Sequence, residues 1–362
     1  MKAMVLCAGL GTRLRPLSNT WPKPAMPLLG QPLFRYALAT LKRGGITEVG
    51  INTHHLPEVM EATAKAECAR AGLGLHIHRE AGEIQGTGGG IRGLRDFLED
   101  DTFVVLNGDV LFGCDLAGII ASHLASEADA TMALALLPAG EKFNPVELDF
   151  SHRVQRIAGH GPGGDKLTSW HFTGVHVMSP DVFDFMLPVG AEDINHHVYP
   201  RLLNKGLTIH GHRIDPFAHY WSDLGTPQRY AAAHKDLLFG QVKLGPFTGA
   251  SPFEDTPRGT GNWWAHPTAT LGNLRGAGPA WFGASCVLEQ DVTVGSGTSI
   301  GPGAVVRKGA MLNRTIVLDG TEVQGGQLYE DCILAPGGVR IDLTGDGPAQ
   351  VHAGGDRLHS PR

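Results

Sequence analysis

Cysteine is scarce in this chain: five thiols in 362 residues, at Cys7, Cys68, Cys114, Cys286 and Cys332, odd in number, scattered and never in a Cys-x-x-Cys pair. That spacing gives neither a disulfide framework nor a zinc site, and points to buried or incidental thiols in a reducing compartment. Basic charge is short as well. With 30 lysines and arginines against 36 aspartates and glutamates, the formal charge of -6 argues against a nucleic-acid partner, which would call for a basic face. Long apolar runs are missing too. No stretch approaches the length that spans a bilayer, and the run from Ala3 to Leu10 enters a glycine loop without a basic leader or cleavage site. The expectation is a soluble cytoplasmic protein with no membrane or nucleic-acid partner.

Glycine, by contrast, is abundant: 50 residues, where a typical share of about 7% would give half as many. Part of the chain must therefore be built from turns. At this length one hydrophobic core usually gives way to two, so two domains are expected.

The chain is organised around Val5 to Leu28, VLCAGLGTRLRPLSNTWPKPAMPL. An apolar strand bends through Gly9 and Gly11, followed by Thr12, Arg13 and Arg15 and then by Lys23 between two prolines. A strand that ends in glycines lets backbone N–H groups approach a phosphate, and the helix start after it favours negative charge. Arginine forks onto two phosphate oxygens, and lysine adds a movable point charge. Two better-known phosphate loops do not fit. The P-loop needs Gly-Lys-Ser/Thr where Gly11-Thr12-Arg13 stands, and the dinucleotide fingerprint needs a small residue where Leu14 stands.

What the stretch resembles is the signature of the sugar-1-phosphate nucleotidyltransferases, a Gly-x-Gly-Thr-Arg loop followed by Pro-Lys-Pro. The resemblance implies nucleotide contacts from Leu6, Ala8, Gly9, Gly11, Thr12 and Arg13, and catalytic roles for Arg13 and Lys23. A nucleoside triphosphate and a sugar 1-phosphate would be the partners.

Leu33 to Arg43 has helical spacing and ends at Gly44-Gly45; Glu48 to Asn52 reads as a strand, Pro57 to Ala71 as a helix and Leu73 to His78 as a strand. Such alternation implies a Rossmann-like, doubly wound α/β sheet, mostly parallel. His54, His55, His76 and His78 have no carboxylate or cysteine joining either pair locally and are read as ordinary strand and loop histidines, and His196-His197 and His210/His212 are read the same way.

The cluster QGTGGGI, Gln85 to Ile91, reads as a connection into a helix from Ile91 to Leu98. At the carboxyl end of the strands it would stand beside the phosphate loop. The family places a base-reading segment there, which assigns Gln85, Gly86, Thr87 and Gly88 to the nucleotide, and the form TGGGI resembles the uridylyltransferases acting on N-acetylmuramic acid 1-phosphate.

Thr102 to Val110 is a buried strand with Asn107, Gly108 and Asp109 at its end. A carboxylate beside a polyphosphate suits Mg²⁺, which takes one or two carboxylates and fills its shell with phosphate oxygens and water. The family uses this aspartate so, with Asn107 and Gly108 near the nucleotide. Asp223, in YWSDLGTPQRY, resembles the family's second metal ligand, from Trp-x-Asp-x-Gly-Thr-Pro. Trp170 to Met178 reads as a strand interrupted at Gly174, and the resemblance assigns Thr173 and Gly174 to the sugar. One departure stands out: the Glu-Lys-Pro of many family members is replaced by RIAGHG, which leaves Lys23 or Arg156 to compensate or a different pocket to be used.

After the nucleotidyltransferase domain (1–239), residues 240–262 read as a linker. From there to residue 340 a repeat is read: every sixth residue from Phe282 is apolar, at Phe282, Leu288, Val294, Ile300, Val306, Leu312 and Leu318, after which the pattern loosens. That period predicts a left-handed parallel β-helix, which could pair copies of the chain, and a flexible tail at 341–362. Acetyl transfer, common on such helices, would want a histidine in or beside the coils, and Phe282 to Leu318 has none. A silent nucleotide-sugar sensor is disfavoured by the intact Gly9, Gly11, Arg13, Lys23, Asp109 and Asp223 set. Uridylyl transfer is expected slightly ahead of guanylyl transfer to mannose 1-phosphate, because the glycine segment should touch the base.

Overall fold

The computed structural model describes residues 1–137, 144–259, 262–344 and 350–352. At its centre the strand Lys2–Leu6 lies parallel between Glu48–Thr53 and Phe103–Asn107, with Gly74–Arg79 beyond. Side chains alternate along a strand, so Ala3 and Val5 enter one core while Met4 enters the other. Both faces of the strand are thus buried, and each fully buried aliphatic side chain contributes about 2 kcal/mol.

The sheet is more mixed than the sequence pattern predicts. Thr168–Met178 joins Phe103–Asn107 antiparallel, Ala130–Ala135 pairs antiparallel with it, and Ile209–Arg213 runs parallel to Ala130–Ala135. Thr168–Met178 is continuous rather than broken at Gly174; the irregularity falls in its pairing, where the register with Ala130–Ala135 shifts between Phe172 and His176.

Helices form at Leu33–Arg43 and Pro57–Ala71, where their spacing puts them, the second stopped by Gly72 at φ 69°. The glycine cluster differs from expectation. It is the helix Gly86–Arg92 itself, followed by a short turn of helix at Arg95–Leu98, and Gly88, Gly89 and Gly90 are buried. Close packing explains this use of poor helix formers: a Cβ on Gly90 would run into the Asn52 amide, and one on Gly88 would lie 3.2 Å from the Glu192 carbonyl.

The stretch Thr102–Val110 also divides, into Phe103–Asn107 and Val110–Gly113. The second piece pairs antiparallel with Tyr220–Asp223 and sets Asp223 opposite Val110, so a two-stranded ribbon brings Asp109 and Asp223 together across 114 positions.

Residues Trp263 to Ala335 form a parallel β-helix. Ladder partners lie 18 residues apart, as Trp281 with Ser299, and then 17, as Ser299 with Ile316. The first six of the seven periodic residues fill the coil interior. Leu318 does not. The one-residue shortening puts Val317 opposite Ile300 inside the coil and turns Leu318 toward the neighbouring domain.

Segment 240–262 is no loose tether over its described residues: Val242, Phe247 and Ala250 are buried in a core shared by both domains. Over its described residues the tail is also paired rather than loose. Val339–Asp342 pairs with Leu328–Ala335, Gln350–His352 pairs with it in turn, and Ile341 is buried; 345–349 and 353–362 lie outside the described residues. All five cysteines are buried, and burial pushes the Cys68 and Cys332 thiols up to about 11. Among the described residues no helix is long and apolar enough to cross a membrane.

Candidate active site

The carboxyl ends of the parallel strands stand level, Leu6 opposite both Asn52 and Asn107, and a cleft of about 430 Å³ opens above them. The glycine loop forms one wall. Gly11 takes φ 60°, and its carbonyl accepts from the Ser18 hydroxyl at 2.8 Å; the Ser18 carbonyl in turn accepts from His55 Nε2 at 2.7 Å. These bonds fix a bend that favours glycine, because a side chain at φ 60° is strained and its Cβ would sit 3.0 Å from Ser18 Cβ. Leu6, Ala8, Gly9, Gly11, Thr12 and Arg13 all face the cleft.

Charge is concentrated at its floor. Lys23, fixed in a turn between Pro22 and Pro24, donates from Nζ to Asp109 Oδ2 at 2.6 Å and to Asp223 Oδ1 at 3.2 Å. The second oxygen of Asp223 accepts from Arg229 at 2.8 Å, and Arg13 lies 3.9 Å from it. Lys23 is 7% exposed, so its charge is kept inside by carboxylates rather than water. Behind Asp223, His171 packs edge-on against Trp221 with ring centroids 4.4 Å apart, and burial pulls its pKa down to about 4.

The glycine helix closes the opposite wall, with Gly86 and Thr87 facing the cleft. Its amides are already engaged in part: Gly88 N–H donates to the Glu192 carbonyl at 2.8 Å, and the Thr87 hydroxyl takes a 2.8 Å bond from Ile194 N–H. Gln85 N–H donates to Glu80 at 2.8 Å. Glu80 also accepts from Asn52 Nδ2 at 2.7 Å, and Asn52 Oδ1 accepts from Cys7 N–H at 2.8 Å. A chain of hydrogen bonds thus ties the glycine helix to the end of the first strand.

Of the remaining expected residues, Asn107 and Asp109 line the cleft, whereas Gly108, Gln85, Gly88 and Asp223 stand behind its lining. Thr173 and Gly174 are set back as well. The Thr173 hydroxyl donates to the Ala133 carbonyl at 2.8 Å and its own carbonyl accepts from Trp221 Nε1 at 2.8 Å, while a Cβ on Gly174 would meet Asn107 at 3.0 Å. Arg156, the alternative to the missing lysine, is paired with Glu147 at 3.1 Å.

Sequence reasoning missed Asn52, Ile84 and Gly225 on the cleft wall, and Glu80, Glu192 and Arg229 behind it. Asn52 carries a readable signal, a polar residue ending a buried parallel strand, as Asn107 does. Arg229 follows a motif already singled out. Nothing local marks the two glutamates.

Among the described residues no three His, Cys, Asp or Glu side chains gather as a metal site. His76 stacks on Phe97 at 4.1 Å, and His210 Nε2 lies 3.2 Å from the Ser122 hydroxyl.

Comparison with known proteins places the chain in a family. The family described as nucleotidyl transferase matches residues 2–239. A mannose-1-phosphate guanylyltransferase of Mycobacterium tuberculosis is 37% identical over 241 residues, covering 66% of this chain and 65% of the relative. A UTP–glucose-1-phosphate uridylyltransferase of Synechocystis is 27% identical over 355 residues, covering 94% and 86%. The solved structure of HddC from Yersinia pseudotuberculosis has the same fold over 65% of this chain and 98% of its own, with a TM-score of 0.55 at 20% identity. The chain belongs to the nucleotidyl transferase family.

Proposed function

We propose that the chain transfers a nucleotidyl group from a nucleoside triphosphate to a sugar 1-phosphate. The observation that carries this reading is Lys23, a buried ammonium shared by Asp109 and Asp223 at the floor of a glycine-walled cleft. A phosphate oxygen of the sugar 1-phosphate attacks the α-phosphorus; the new P–O bond forms as the bond to pyrophosphate breaks, and pyrophosphate leaves with the electron pair. No proton need move, so alignment and charge neutralisation supply the rate.

The chain's own groups divide that work. Gly9, Gly11 and Arg13 receive the triphosphate, and Lys23 bridges the α-phosphate and the sugar phosphate. Gly86 and Thr87 stand where the base would lie. Two carboxylates that share one cation, with no third acidic, histidine or cysteine ligand gathered beside them among the described residues, suit Mg²⁺, which takes its other ligands from phosphate and water. Asp109 and Asp223 would hold it, and the charge it supplies would offset that developing on the phosphates.

For the base, the relative at 37% identity favours GTP with mannose 1-phosphate as the first pair to assay. UTP is the second reading, carried by the uridylyltransferase that aligns with 94% of the chain and by the TGGGI segment. Pyrophosphate release with each triphosphate and each sugar 1-phosphate, with Mg²⁺ and after EDTA, tests the reading. Release that needs both substrates and stops on chelation is expected; release that persists in EDTA would remove the metal from it.

A further inference from the structure

We infer that the β-helix is a positioning part of this active site: through Trp281 and Ser299 it holds the two segments that carry Lys23 and Arg229. The inference rests on the transferase reading, and it assigns a positioning duty to residues beyond the family match at 2–239.

Trp281, Ser299, Ile316 and Ile333 follow one another in register along one ladder of the β-helix. Their strand neighbours Phe282, Ile300, Val317 and Leu334 pack inside the coil, so by alternation this ladder points outward. Yet Trp281 is 4% exposed, Ile316 3% and Ile333 0%. Outward residues on other ladders behave differently: Met311 is 43% exposed and Leu328 56%. The ladder led by Trp281 is buried because the catalytic domain lies on it.

Residues of the 240–259 segment share in that contact, the Pro252 carbonyl accepting from Trp281 Nε1 at 3.3 Å, and two further segments lead from it to the site. One is the hairpin of Pro27–Leu28 and Gln31–Pro32, which begins within a few residues of Lys23. Gly30, at its tip with φ 70°, is so close that a Cβ would lie 2.5 Å from Trp281 Cη2. The other is the helix Pro227–Leu238. Its Tyr230, Ala233 and Leu237 share a core with Trp281 and Ile316, and His234 Nδ1 meets the Ser299 hydroxyl at 3.1 Å. The Tyr230 hydroxyl donates to the Pro27 carbonyl and joins the two segments. Both routes end on one carboxylate, because Lys23 and Arg229 each bind Asp223. Chemistry that rests on alignment is sensitive to small shifts of such supports, and a misplacement of about 1 Å can cost about 10²-fold.

The test uses the full chain. Trp281→Ala is expected to lower kcat by about tenfold while KM for both substrates stays within about twofold, and Trp281→Phe to recover most of the loss. Met311→Ser, on an exposed ladder, should leave kcat unchanged. Gly30→Ala should lower kcat when Trp281 is present and have a smaller effect in the Trp281→Ala background, where the indole it strikes is gone. Unchanged kcat per folded molecule in Trp281→Ala, with only a lower Tm, would overturn the inference; so would losses from Gly30→Ala and Trp281→Ala that simply multiply. If Trp281→Ala does not fold, Trp281→Leu takes its place in the same cycle. Hydrogen exchange across residues 22–33 separates this inference from the transferase reading. Faster exchange there in the Trp281 variants, but not in Met311→Ser, supports the support role even if no substrate pair reacts; unchanged exchange refutes it whatever the activity.

Discussion

At the scale of single residues, the candidate active site is an arrangement for keeping charge inside. The Lys23 side chain is 8% exposed and touches Asp109 and Asp223, while Arg229 takes the remaining oxygen of Asp223. Substituting Asp109→Asn keeps the shape and removes one charge, so pyrophosphate release should fall by ~10²-fold with the thermal melt little changed. A variant that turned over at the parent rate would remove Asp109 from the chemistry. These residues were legible in the sequence because each sits in a stretch whose pattern names its place: Asp109 at the tip of a buried strand, Lys23 between prolines. Glu80 was not, because a lone glutamate acquires its meaning from a partner 28 positions away. Thr173 was legible as a strand residue, but pleat direction and a neighbour's carbonyl decided where its hydroxyl goes.

At the scale of elements, the glycine helix Gly86–Arg92 depends on its brace. The Glu192 side chain is wholly buried; it pairs with Arg201 and accepts from Leu187 N–H at 3.1 Å, while its carbonyl takes the Gly88 amide at 2.8 Å. Glu192→Ala leaves a partly buried guanidinium and a backbone donor without that partner. A loss of about 2 kcal/mol is expected, roughly 5 °C in Tm, together with a higher KM for the nucleoside triphosphate than for the sugar phosphate. Equal rises in both KM values would show that the helix does not face the base. The hexapeptide period was readable because each coil repeats one inward position, and it failed at Leu318, where a coil loses a residue. The glycine run read as a connection because helix propensity is a weak prior, overridden here by the close approach of Asn52 and Glu192.

At the scale of the whole molecule, the two domains share a core, and several buried histidines set its acid limit. Burial pulls His176 and His234 down to about 3 and His171 to about 4, all from 6.5. Each is neutral in the fold, so the stability it contributes is present above pH 6.5 and is lost as pH falls toward 4 and below. Asp319 has the opposite sign. Burial raises it from 3.8 to about 6, and its contribution is lost as pH rises through that range. Three histidines outweigh one aspartate, and the urea midpoint should fall steadily from pH 7 to pH 4.5; a midpoint that rises over that interval would contradict these assignments. The domain order was visible in composition and period. The shared core was not, since contacts such as His234 with Ser299 join positions 65 residues apart. The central claim is tested most directly by pyrophosphate release from purified protein with Mg²⁺, GTP or UTP, and mannose or glucose 1-phosphate. The account predicts release in at least one pairing, dependent on both substrates and reduced ~10²-fold in Asp109→Asn. Nucleotide binding with no release in any pairing would contradict it.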